Sequence, residues 1–203
     1  MTDAKIDLYK LHKAEYAAKA HPTLVETTSA KYLAIEGSGE PGGDVFQART
    51  GALYSMAYTL KFTSKAGGTD YAVSKLEGRW WSDTPGGDLG EVRPENWRWQ
   101  LLIRTPDAID DAALDEAHSA LEKRGKATPE TAQVELVTLD EGRCAQILHV
   151  GPYDTEKETI QKLRTFMADE GLSPAGTHHE VYLNDPRRID PSKLKTIIRQ
   201  PVE

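Results

Sequence analysis

Cysteine is almost absent. Cys144 is the only one among 203 residues, so no internal disulfide can form and a reducing cytoplasm is the expected setting. It sits in an apolar strand-like run, GRCAQILHVG, and is expected to be a passive core thiol. Long apolar runs are missing too. No stretch approaches the roughly 20 residues that a membrane helix needs. The N-terminal MTDAKIDLYKLHKAEYAAKA has no apolar signal core, which argues against secretion. It has poor periodicity and allows at most a short helix. Basic blocks are lacking as well: 25 Lys and Arg face 32 Asp and Glu, for a net charge of −7, and no basic stripe speaks for a nucleic-acid surface. No segment reads as a helix-turn-helix, and residues 1–22 are too few for a DNA-binding headpiece ahead of the first strand.

Familiar chemical signatures are equally scarce. GSGEPGG (37–43) precedes a helix but lacks both a Lys-Ser/Thr pair and dinucleotide-binding spacing, so it reads as a turn. His178, His179 and Glu180 are consecutive on a strand. Their side chains alternate between faces and cannot converge on a metal without a bulge. No Gly-x-Ser-x-Gly elbow or Ser-His-Asp set is readable. Neither a metal nor a cofactor is expected.

What is present is a core-forming composition, 38% hydrophobic and 28% charged, and an internal echo. WQLLIRTPD (99–107) and LKTIIRQPV (194–202) each close an apolar run with Ile-Arg-x-Pro. The same order of elements precedes each. In the first half, a strand at 31–41 leads to a helix at 44–65, where Phe46, Leu53, Met56, Ala57 and Leu60 recur at helical spacing. Asp44 is its expected N-cap, and Ala-Gly-Gly at 66–68 stops it. Strands at 70–81 and 96–106 follow. In the second half, two strands flank a turn at Asp140–Gly142. A helix at 155–171 opens on a Thr155/Glu158 capping box and ends at Gly171, and two last strands cover 178–186 and 194–202. A helix at 110–125 joins the halves. The expectation is one α+β domain over 1–203. It would hold tandem strand–helix–strand–strand modules, about 23–106 and 132–203, related by a pseudo-two-fold axis. Helices would lie on one side of an antiparallel sheet and the other face would be concave and open to ligand.

Aligning the halves sets Glu77 against Glu180. Two mid-strand carboxylates brought together by the axis would suit proton transfer or a cation site; solvated strand residues or ion pairs to arginine are the plainer alternative. HHEVYLNDP (178–186) alternates Val181 and Leu183 with Glu180 and Tyr182, placing carboxylate and phenol on one face. All four tryptophans, Trp80, Trp81, Trp97 and Trp99, fall within one hairpin's worth of chain. Trp81 shares the Glu77 face and Trp80 the opposite one. Some of them must be core; the rest, with Tyr54, Tyr58 and His178, are candidates for holding a flat aromatic or cationic molecule.

The motifs ALYSMAYTLKF (52–62), LEGRWW (76–81), WRWQLLIRTPD (97–107), CAQILHVGPYD (144–154), HHEVYLNDPRR (178–188) and LKTIIRQPV (194–202) together resemble the GyrI-like small-molecule-binding family, which is related to the effector domains of BmrR-type multidrug regulators. The resemblance implies the paired-module fold, hydrophobic and often cationic ligands, and a central cleft glutamate, which Glu180 matches. Stand-alone members are similar to cyclopropanoid cyclopropyl hydrolases, which add water across a strained ring to detoxify DNA-alkylating compounds. By that likeness Glu180 and Tyr182 are the catalytic candidates and Glu77 the second carboxylate. The family stretch is more often Pro-Leu-Glu-Gly-Leu-Trp-Trp. Here Lys75 and Arg79 flank Glu77 by period two, an arrangement expected to hold Glu77 ionised and to make the pocket less apolar. Three functions remain open: a hydrolase, a non-catalytic module that senses or sequesters the same molecules, and a protein-inhibiting partner such as the family members that bind gyrase.

Overall fold

The structure is a computed structural model that describes residues 5–83 and 89–203. The first four residues of the N-terminal segment and residues 84–88 of the tryptophan-bearing hairpin lie outside the described residues. The first module is β2 (Ala30–Ser38), α2 (Asp44–Ala66), β3 (Leu76–Ser82) and β4 (Trp97–Arg104). The second is β6 (Arg143–Val150), α4 (Glu156–Asp169), β7 (His178–Tyr182) and β8 (Lys195–Pro201). A single turn, α1 (Leu8–Leu11), and β1 (Thr23–Glu26) precede them; α3 (Asp111–Lys123) and β5 (Glu135–Leu139) lie between. The eight strands form one antiparallel sheet in the order β1-β6-β8-β7-β3-β4-β2-β5. Across the central β7–β3 seam each module reads outward in the same way: second strand, third strand, first strand.

The outermost strands are exchanged. β1 leads into the first module yet pairs with β6 of the second, and β5 leads into the second yet pairs with β2 of the first. The strands flanking Asp140–Gly142 are therefore real, but they do not form a hairpin. β5 and β6 stand six strand spacings apart in the sheet order, about 29 Å if the sheet were flat. The three residues between them span at most about 14 Å. The same holds for β1 and β2, joined by residues 27–29. Both links can close only if the sheet curls, bringing its two ends together around one face.

Helices α2 and α4 pack outside this curl. Leu33, Ile35, Leu101 and Ile103 meet Leu53, Met56 and Leu60 of α2; Ala145, Ile147 and Ile198 meet Leu163 and Met167 of α4. α3 lies on α2, with Leu114, Ala117 and Leu121 directed inward. The strand expected over 70–81 begins only at Leu76, and two helix-start signals did not hold. Gly43, not Asp44, is the N-cap of α2, and Asp44 sits in the first turn. The Thr155/Glu158 capping box does not form. A 3-10 turn over Tyr153–Thr155 feeds α4, and the Thr155 hydroxyl donates to Pro152 O at 2.7 Å instead. Gly171 follows the end of α4 at φ 68°, a left-handed position that favours glycine.

The inner face is not open. Residues 7–19 strap across it: Tyr9 and Tyr16 stack at 3.9 Å between ring centroids, and Tyr16 packs on Val181 and Ile197. This corrects the expectation of an open concave ligand face. Close packing on the helix side is equally tight at Gly37, where an added Cβ would stand 2.1 Å from the fully buried Trp99 ring. Gly37→Ala is expected to cost at least the 1–3 kcal/mol typical of overpacking, read as a lowered denaturation midpoint. A midpoint unchanged from wild type would contradict the packing described.

Candidate functional site

Antiparallel partners share a face, so the register across the central seam decides which side chains meet. Gly78 pairs with Glu180 and Trp80 with His178, while Glu77 pairs with Val181 and Arg79 with His179. Glu180, Tyr182, His178 and Trp80 therefore face the helices. Glu77 and His179 face the inside of the curl. The predicted Glu77–Glu180 pair does not exist: a one-residue offset in the alignment of two strands puts the carboxylates on opposite sides of the sheet.

Each side has its own constellation. Inside, Glu77 is fully buried. It accepts from the Tyr16 hydroxyl at 3.1 Å and stands 3.0 Å from His179 Nε2. His179 Nδ1 lies 2.8 Å from Glu141, on the link between β5 and β6. The two Ile-Arg-x-Pro arginines meet here as well. Arg104 donates to Glu15 at 2.7 Å and to Tyr16 at 3.2 Å, and Arg199 donates to Gln146 and to the Glu15 carbonyl. Lys75 is exposed, and Arg79 bonds to Gln100 and Thr177, so neither pairs with Glu77; its partners are His179 and Tyr16.

Burial works against the His179 cation, but the charges of Glu141 and Glu77 outweigh it and push its pKa up to about 9. Burial opposes the Glu141 anion too, yet His179, Arg199 and Arg79 hold its pKa below the usual range. A base raised in the fold contributes stability below its unfolded pKa of about 6.5 and loses it as pH climbs toward 9; an acid lowered in the fold contributes above about 4.5 and loses it on acidification. The contribution of this His179–Glu141 pair to thermal stability is therefore expected to be highest between about pH 5 and 6.5 and to decline on both sides. In His179→Gln the alkaline decline between pH 6.5 and 9 should be blunted; an unaltered decline would remove His179 from this account.

On the helix side, β3 and β7 run through the gap between the strands covered by α2 and those covered by α4. Tyr182 donates to Glu180 Oε2 at 2.8 Å and accepts from Trp80 Nε1 at 3.1 Å. His178 Nε2 stands 2.9 Å from Glu180 Oε1. Gly78 makes this possible. A Cβ there would stand 2.9 Å from Trp80 Nε1 and 3.0 Å from Tyr182 Oη. Burial, then the charges of Glu180 and Glu156, push the Tyr182 phenol well above its ordinary pKa, so it stays a proton donor. The Glu180 side chain keeps 12% of its surface exposed, enough to be reached.

Other predicted residues divide. Trp80 stacks on Phe46 and meets Trp97 edge-on. Trp99 is wholly buried against Phe46 and is core. Trp81 pairs with Arg98 on the inner face, away from Glu180. Tyr54 is half-buried on α2, with Tyr58, 50% exposed, stacked beside it. Two residues were missed. Tyr153 meets the Tyr182 ring edge-on at 5.9 Å. Glu156, at the start of α4, is 7% exposed, and its electrostatic neighbours are Glu180, Tyr182 and Tyr153. Burial first, then the charge of Glu180, raises the Glu156 pKa well above the carboxylate range. The signal was readable: Glu156 falls on the stripe 156, 160, 163, 167 that carries Ile160, Leu163 and Met167 inward. Two shallow depressions, of about 470 Å³ beside Glu36, Arg49 and Arg98 and about 360 Å³ beside Val150, Lys193 and Lys195, do not include Glu180.

A curled antiparallel sheet with paired helices, carrying one reachable carboxylate among aromatic side chains, is the build of a small-molecule-binding domain. The model of the GyrI-like small molecule binding domain matches residues 105–203. A conserved protein from Listeria innocua is 36% identical, superposes with a TM-score of 0.89 and aligns over 98% of this chain and 100% of its own. A protein from the same organism named a hydrolase is 35% identical at a TM-score of 0.86, with the same coverage. The chain belongs to the GyrI-like small-molecule-binding family. The C-terminal domain of EcmrR, 13% identical, shares the fold at a TM-score of 0.61 over 90% of this chain and 97% of its own. No curated protein matches. Among the described residues, no helix is long and apolar enough to cross a membrane.

Proposed function

We propose that the protein binds hydrophobic aromatic molecules in the groove between α2 and α4 and hydrolyses strained, cyclopropane-bearing electrophiles among them. The observation that carries this reading is the Glu180–Tyr182 pair. A carboxylate with both oxygens engaged by His178 and Tyr182 stands beside a phenol held in its protonated form, under Trp80 and the edge of Tyr153. The chemistry needs little more. For a cyclopropane fused to a dienone, a water oxygen bonds to the less hindered ring carbon. The ring C–C bond breaks, and its electron pair moves to the carbonyl oxygen, which becomes a phenol. Glu180 accepts the proton that water loses, and Tyr182 donates to the developing oxyanion. Trp80, Trp97 and Tyr54 offer apolar and aromatic surface for the body of the substrate. The hydrolase name of a 35% identical relative supports the same class of reaction.

The test is incubation with a duocarmycin-type cyclopropane alkylator, with the ring-opened, water-added product followed by mass spectrometry. Enzymatic turnover well above the spontaneous rate is expected. Saturable quenching of tryptophan fluorescence without turnover would overturn the hydrolase and leave a module that senses or sequesters its ligand.

A further inference from the structure

Glu156 is a buried polar group that the reaction as written leaves unused. Its position is unusual in three respects. It occupies an apolar helix stripe at the first residue of α4. Its Oε1 and the Oγ1 of Thr196 are buried with no partner elsewhere, and the facing Thr196 hydroxyl is, among the described residues, the one side chain that bonds to the carboxyl. Thr196 in turn pairs with Tyr182 across the β7–β8 ladder and with His149 across β6–β8. The groups that face it from the surrounding elements are Glu180 and Tyr182 of β7, Thr196 of β8 and Tyr153 of the preceding turn; His149 of β6 is tied to Thr159 at 2.8 Å. Lysine and arginine are missing from this set. Two carboxyls that share a mostly buried site with no lysine or arginine, and with only the His178 imidazole beside Glu180, do not both ionise readily.

We propose that Glu156 is the proton-carrying partner of Glu180: the two carboxyls hold one proton between them, and Glu156 replenishes the proton that Tyr182 gives to the substrate. This rests on the hydrolase reading and deepens it. At the start, Glu180 is ionised and Glu156 neutral. Water loses a proton to Glu180 as its oxygen bonds to the ring carbon. The carbonyl oxygen takes the Tyr182 proton, and Tyr182 recovers one from Glu156. The cycle ends with Glu180 neutral and Glu156 ionised, and transfer of one proton from Glu180 to Glu156 restores the start. Water is added in full, and no proton need be exchanged with bulk solvent. Glu156 acts through Tyr182, so it is a positioning and proton-reserve residue rather than a catalytic one. The raised pKa of Glu156, caused by burial and the Glu180 charge, agrees with this assignment.

Glu156→Gln is close to isosteric and removes the acidic proton. With the cyclopropane alkylator as probe, kcat at neutral pH is expected to fall by about 10²-fold, the lower end of what acid–base assistance supplies, with KM nearly unchanged. Wild-type kcat should fall on the alkaline side as the shared proton is lost, and this limb should be missing in the variant. An unchanged kcat with the limb intact would overturn the proposal. A second measurement stands apart from turnover. Infrared difference spectroscopy of the wild-type protein at neutral pH should show the C=O stretch of a protonated carboxyl that Glu156→Gln lacks. In Glu180→Gln the neighbouring charge is gone, so Glu156 should deprotonate at lower pH. No such band in the wild type would overturn the proposal even if turnover is seen. A band without turnover would sustain the shared proton while the hydrolase reading fails.

Discussion

Arg104→Ala is expected to destabilise the protein by about 3–5 kcal/mol, the range for removing one partner of a buried ion pair. Arg104 is 2% exposed and Glu15 5%. Truncation leaves the Glu15 carboxylate without its 2.7 Å partner, deprives the Tyr16 hydroxyl of a donor, and breaks the Thr28 contact at 3.1 Å. Solvation cannot compensate, because the strap closes over the site. The loss is large against the 5–15 kcal/mol of an ordinary domain. It should also be local at first: residues 7–19 ought to become cleavable by protease before the rest unfolds. Equilibrium denaturation measures the first effect and limited proteolysis the second. Glu15→Gln together with Arg104→Met, which removes both charges, should lie nearer to wild type than Arg104→Ala alone. A single-variant loss below 1 kcal/mol, or a double variant worse than the single, would show that the ion pair does not hold the strap.

Glu180→Gln is the second large effect. The amide keeps the size of the side chain and can still meet His178 and Tyr182, so affinity for an aromatic ligand, read by tryptophan quenching, should change little. It cannot accept a proton from water. Turnover should fall by the roughly 10²–10⁴-fold that a placed general base contributes. If turnover survives at more than a tenth of wild type, Glu180 is not the base. If affinity collapses along with turnover, the residue holds ligand by its charge, and the cationic-drug mode of binding becomes the better description.

Local pattern made much of this architecture legible. Two Ile-Arg-x-Pro endings announced two modules, helical spacing placed α2 and α4, and alternation put Glu180 with Tyr182. What failed depended on register between strands distant in sequence. Glu77 and Glu180 look equivalent in two aligned strings, but a shift of one residue reverses a strand's faces, and only the Gly78–Glu180 pairing reveals it. The partners of Glu77 could not be read from its neighbours Lys75 and Arg79, because they come from a strap about 60 residues upstream and from β7. Glu156 was legible in principle, as an acid on an apolar stripe. It was passed over because Thr155 and Glu158 matched a capping pattern whose atoms are spent elsewhere, Thr155 on Pro152.

The crossed edge strands mean that the two modules are repeats in sequence but not separable parts. A segment cut to the matched region 105–203 would carry β5, whose pairing partner β2 it lacks, and would leave behind β1, which seals its own β6. Each half thus keeps the other's outer hem. The exchange ties the two like-ordered modules together, so that cutting either half away would open a raw edge on both.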